Sequence, residues 1–129
     1  MASSGLTREQ IAEFETVQSQ LKGLYDEVRS LASKKPNDAL NKFKLGVANG
    51  LLRRTNRLLE PKIALDGFGQ FSDDAVPTNS DVLVVFSQYL AFLEKMRADN
   101  IIYNNGWWYW RIDGEKSDIR TSSPRKLDE

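Results

Sequence analysis

Apolar side chains in the first quarter of the chain fall at Phe14, Val17, Leu21, Leu24, Val28 and Leu31, alternating steps of three and four. That spacing predicts a long helix with one buried stripe, over residues 7–33. Thr7, with Gln10 three residues later, forms a capping box, and Leu6 and Ile11 are placed as a hydrophobic staple around it. The seam lasts about two and a half heptads, too short for a free coiled coil and suited to a helix packed in a bundle. Pro36 ends the segment, because the residue before proline disfavours helical backbone angles.

A second helix is predicted over 38–60, capped by Asn37 or Asp38 and stopped by Pro61. It carries two adjacent stripes: Leu40, Phe43, Val47, Leu51 and Leu58 on one side, and Leu45, Ala48, Leu52 and Leu59 beside it. Two stripes imply two neighbours. Gly46 and Gly50 each cost about 1 kcal/mol against Ala in a helix interior, so their spacing predicts a close approach by another helix. Residues 61–79 read as a long connection, with Phe68 and Phe71 pinning it to the core.

Thr78 and Asp81 form a second capping box, opening a third helix over 79–99. Its apolar positions, from Val82 through Met96, leave almost no polar face, which predicts a buried central helix.

After Asn100 the period falls from about 3.6 to 2. Two runs, Ile101–Asn104 and Trp107–Ile112, flank Asn105-Gly106, a dipeptide that favours a type I′ turn. Asp113-Gly114 then returns Glu115–Thr121 as a third strand, placing Trp108 opposite Ile119. The expected fold is therefore mainly α (α+β): a three-helix bundle with a long first helix, then a small antiparallel meander over 101–121. One domain spans 1–121, and 122–129 reads as a disordered tail.

Composition narrows the function more than the fold. The 129 residues include 18 basic and 18 acidic side chains, no His and no Cys. Missing His and Cys exclude His-based triads and proton shuttles, Cys nucleophiles and zinc sites built from those ligands. A net charge of zero gives no global field toward nucleic acid or anionic lipid. No signal peptide or spanning run is visible, so a cytoplasmic protein without membrane association is expected.

Locally the charges separate. Residues 33–60 carry seven basic and two acidic groups, and the arginines Arg53, Arg54 and Arg57 cluster there. Arg53 and Arg57 share a helix face, at a spacing suited to gripping a phosphate or carboxylate; the plainer reading pairs them with acidic faces of neighbouring helices. Asp66, Asp73, Asp74 and Asp81 match no calcium-loop spacing, and loop solvation and helix capping account for them. Ser19 and Lys22 match a Ser-x-x-Lys pattern, but neither companion motif is present. No metal and no cofactor are expected. A helical core followed by a hairpin also describes winged-helix domains, whose last helix must present polar groups to DNA. The apolar third helix does not fit that role.

The aromatic hairpin is the strongest functional signal. Strand alternation sends Trp108, Trp110 and Ile112 to one side and Trp107, Tyr109 and Arg111 to the other. Only one side can face the helices, so Trp107, Tyr109 and Arg111 are expected to stand together in solvent, residue types enriched at binding hot spots. The expected function is a non-enzymatic interaction module or small adaptor subunit docking another protein, or a second copy of itself, through this face. The alternative is single-stranded nucleic-acid binding, with the aromatics stacking on bases and Arg53, Arg54 and Arg57 holding phosphates.

Overall fold

A computed structural model describes residues 5–59, 68–72 and 74–125. The helices α1 (Arg8–Lys34), α2 (Lys42–Leu59) and α3 (Asn79–Ala98) precede three strands, β1 (Ile101–Asn104), β2 (Trp107–Ile112) and β3 (Glu115–Thr121). α1 packs against both α2 and α3. The strands form one antiparallel sheet in the order β1-β2-β3. Among the described residues no helix is long and apolar enough to cross a membrane.

Both predicted capping boxes form. Thr7 Oγ1 accepts from Gln10 N–H at 3.1 Å while the Gln10 side chain accepts from Thr7 N–H at 2.9 Å, and Thr78 with Asp81 repeats the arrangement. Along α1, Phe14, Val17, Leu21 and Val28 are fully buried, whereas Leu31 at the far end of the seam is exposed.

α2 begins four residues later than the sequence suggests, with Asn41 rather than Asn37 or Asp38 accepting from the first turn, at Lys44 N–H. The reason lies in the start of α3. Carbonyls of Pro36 and Asp38 accept from Ser80 and Asn79 N–H, and Leu40 N–H donates to Pro77, so the connector caps α3 and is not free to coil. The predicted end of this helix, Glu60 and Pro61, lies outside the described residues.

The two stripes on α2 also resolve differently. Leu45, Ala48, Leu51, Leu52, Leu58 and Leu59 are buried, but Phe43 is 79% exposed and Val47 is also exposed. Among the described residues nothing approaches Gly46, and only the Arg53 side chain comes near Gly50, so no described helix makes the expected close contact. The glycines therefore cost helix propensity with no packing return among the described residues. In α3 the buried side is narrower than expected: Val82, Phe86, Tyr89 and Leu93 are buried, Leu83, Val85, Leu90 and Phe92 are half-buried, and Val84 faces solvent. α1, not α3, is the helix shared by two neighbours.

Polar residues of α2 hold the long connection down. Asn49 exchanges two hydrogen bonds with the backbone of Phe71, at 3.0 and 2.8 Å, and Asn56 donates to the Gly69 carbonyl at 3.1 Å. Phe71 is buried and meets Phe68 edge-on, and Phe68 in turn meets Tyr89. The predicted pinning by both phenylalanines is therefore present, with the asparagines as an unpredicted second fastening.

The sheet joins the helices through Trp110, which is fully buried and meets Phe14 edge-on at 5.0 Å. Leu6 bridges Ile112, which brings Gly5 against the β2–β3 turn; a Cβ there would lie 2.5 Å from the Asp113 and Gly114 nitrogens. Both turns have the required positive φ, 51° and 89° at Asn105 and Gly106 and 53° and 83° at Asp113 and Gly114.

Two charges are buried in α3: Glu94 and Arg97 pair at 2.8 Å. They hold Ser122, Ser123 and Arg125 through backbone hydrogen bonds, so the part of the tail expected to be disordered is fastened as far as Arg125. Residues 126–129 lie outside the described residues.

Gly46→Ala should raise stability by up to about 1 kcal/mol, since the added methyl meets open space and removes the glycine penalty; the midpoint of urea unfolding reads it, and a lower midpoint would mean the glycine is required. Burial pushes the Glu94 carboxyl up, but hydrogen bonds from Arg97 and Arg125 N–H and the charges of both outweigh it and hold it below the usual range. A lowered folded pKa means stability present above the unfolded value of about 4.3 and lost as pH falls through the folded value. Unfolding curves across that range should show this acid loss in the parent chain and a shallower one in Glu94→Gln.

Candidate interaction face

Once Trp110 is inside, alternation along β2 decides where its neighbours stand. Trp108 and Ile112 lie on the core side, half-buried. Trp107, Tyr109 and Arg111 lie on the outer side as predicted, but they are not equally open: Trp107 is 55% exposed, while Tyr109 and Arg111 are half-buried. Arg111 Nη2 donates to the Asp99 carbonyl at 3.1 Å, which ties it to the end of α3.

Two cations from β3 lie over the two rings. Lys116 Nζ stands 4.2 Å from the centre of the Tyr109 ring, and the Arg120 guanidinium stands 4.1 Å from the centre of the Trp107 ring. Both distances are within the range of favourable cation–π contact. Neither Lys116 nor Arg120 was singled out by sequence reasoning, although the alternation of β3 placed both on the outer side.

The β2–β3 register explains how they arrive without an acid between them. Near the turn, Arg111 pairs with Lys116 and Ile112 with Glu115; farther along, Tyr109 pairs with Arg120 and Trp108 with Thr121. Three residues of β3, Ser117, Asp118 and Ile119, therefore span the distance that Trp110 alone spans on β2, a bulge of two extra residues. Trp108 faces Thr121, not the expected Ile119. A regular ladder would put Asp118 opposite Tyr109, on the outer face. The bulge turns Asp118 away to pair with Arg8 of α1 at 3.0 Å, and the Ser117 hydroxyl accepts from Ile119 N–H inside it. What remains at the outward strand positions is Ile102, Asn104, Trp107, Tyr109, Arg111, Lys116 and Arg120: three cations and no carboxylate.

The arginines of α2 sit elsewhere and are largely engaged. Arg54 makes a two-pronged ion pair with Glu13, at 3.0 and 2.8 Å, and also reaches Gln20. Hydrogen bonds from Arg54, ahead of a smaller opposing effect of burial, hold the Glu13 carboxyl below its usual range. Arg53 donates to Gln70 of the connection at 2.9 Å, and Arg57 borders an open hollow with Glu9, Gln10, Glu13 and Leu58. Arg8, beside the β3 bulge, and Glu13, beside Arg54, lie about 140° apart around α1 at 100° per residue. Among the described residues no hydrogen bond or ion pair joins the α2 arginines to the sheet.

Of the other candidates, Asp81 serves in the α3 capping box and Lys22 pairs with Asp26 at 2.8 Å. Asp66 and Asp73 lie outside the described residues. Among the described residues no group of three or more carboxylates is placed to hold a metal ion. No protein-family model, curated protein or solved structure matches this chain.

Because Arg54 and Glu13 are each over a third exposed, their pairing should contribute no more than about 1 kcal/mol. A double-mutant cycle with Arg54→Met and Glu13→Gln should find a coupling of that size, shrinking in high salt; a larger, salt-insensitive coupling would show the pair to be shielded from water.

Proposed function

We propose that this chain is a non-enzymatic interaction module, acting in the cytoplasm as a small adaptor or subunit, that docks an acidic segment of a partner protein on the outer face of its sheet. In this reading the helices form a three-helix bundle that serves as a rigid platform. The observation that carries it is the composition of that face: two aromatic rings, three cations and no carboxylate at the outward strand positions. A chain with zero net charge has no general need to gather three cations on one side of a small sheet. The combination suits carboxylates that pair with Arg111, Lys116 and Arg120 while an apolar side chain lies on Trp107.

The nucleic-acid alternative draws less support. A cation already lies over one face of each ring, which leaves less open ring for a base to stack on. Of the arginines intended for phosphates, Arg54 is held by Glu13 and Gln20, and Arg53 by Gln70.

Titration of tryptophan fluorescence with a synthetic peptide alternating Asp and Leu, beside mixed-sequence single-stranded RNA and DNA, separates the readings. Saturable binding of the peptide, weakened by salt and abolished in Lys116→Glu/Arg120→Glu and in Trp107→Ser/Tyr109→Ser with an unchanged helical signal, is expected. Saturation by the nucleic acids alone would overturn the protein reading. A stable dimer whose formation needs Trp107 would replace the acidic partner with a second copy of the chain.

A further inference from the structure

Glu94 and Arg97 are 4% and 2% exposed, and nothing in the docking face as described so far uses them. Buried charges of this kind are retained only with their hydrogen bonds filled. Here every donor of the guanidinium is used. Nε and Nη2 of Arg97 donate to the two Glu94 oxygens at 2.9 and 2.8 Å. The remaining donors leave α3: Nη1 to Thr121 Oγ1 and the Ser122 carbonyl at 2.9 and 2.8 Å, and Nη2 to the Ser123 carbonyl at 2.8 Å. Glu94 Oε2 also accepts from Arg125 N–H at 2.9 Å. The pair thus grips the chain at 121, 122, 123 and 125, mostly by its backbone, while the side chains of 122–125 stay exposed.

The gripped segment starts one residue after Arg120. Past the bulge, β3 keeps two ladder positions, Tyr109 with Arg120 and Trp108 with Thr121. So short a run at the end of a strand opens readily unless something else holds it. Lys116 lies before the bulge, next to the tight turn, and has no such need.

We propose that Glu94 and Arg97 are positioning residues for the docking face: by clamping Thr121–Arg125 they hold the far end of β3 in place and keep Arg120 on Trp107. With the clamp open, Arg120 leaves the Trp107 ring while Lys116 stays over Tyr109. The importance of this for binding rests on the docking reading above, but the test needs no partner.

In the full chain, Glu94→Leu/Arg97→Met replaces the ion pair with apolar groups of similar size, which buried pairs commonly tolerate, and removes every bond to the segment. Proton NMR reads the upfield displacement of the Arg120 side chain by the Trp107 ring and of the Lys116 side chain by the Tyr109 ring. The expected result is an Arg120 displacement reduced about twofold or more, an unchanged Lys116 displacement, and exchange of the Arg125 amide faster by about tenfold or more. Ser122→Ala and Ser123→Ala should leave all three as they are, because at those two positions only backbone is gripped. An Arg120 displacement that persists in the folded double variant, or that falls together with that of Lys116, overturns the proposal. Should the double variant not fold, two glycines inserted between Thr121 and Ser122 shift both carbonyls out of register with the ion pair intact, and the same signals decide. Intact signals in a parent chain that ignores the acidic peptide would count against docking and leave the clamp standing.

Discussion

The burial of Trp110 against Phe14 is the constraint from which the rest of the sheet follows. A three-stranded sheet of this size has too little apolar surface to stand alone and must lean on the helices. Trp110 supplies the largest side chain for that contact, and a one-residue slip would carry it into solvent and turn the whole alternation over. With Trp110 inside, Trp107, Tyr109 and Arg111 have nowhere to go but out. The contact exacts a polar penalty, since the indole N–H has no hydrogen-bond partner among the described residues.

The outer face then acquires its charge through a local irregularity. Regular pairing would interleave Lys116, Asp118 and Arg120 and leave a mixed surface of modest field. The two-residue bulge removes the middle member and hands it to Arg8, so a balanced strand presents only its cations. Balance across the chain and imbalance on a face are thus compatible, because acids elsewhere, such as Asp81 in the α3 cap, Glu13 on α1 and the buried Glu94, offset the cations.

α2 illustrates the opposite outcome. It is the most basic element by sequence, yet Arg54 closes onto Glu13 and Gln20 and Arg53 onto Gln70, and its buried asparagine holds the Phe71 backbone. Most of what reads as a binding patch is used to join α2 to α1 and to the connection that follows it. Meanwhile Phe43, Val47 and the two helix glycines, which read as packing residues, are left open or partly open to solvent.

Local signals determined much of this protein by themselves. The capping boxes at Thr7 and Thr78, the Asn-Gly and Asp-Gly turns, and the change of period after Asn100 depend on neighbours within a few residues, so the three helices, the three strands and the side of β2 that faces outward were legible from the chain. Tertiary structure decided what depends on distant partners. It moved the start of α2, because the connector's carbonyls cap α3, and it left Gly46 open, because no second backbone among the described residues arrives there. It set the core contact of Trp110 and the β3 bulge that carries Asp118 to Arg8. It fastened Ser122–Arg125 to a charged pair whose burial no periodicity announces, because Glu94 and Arg97 become a clamp only when residues distant in sequence, Thr121 to Arg125, fold over them.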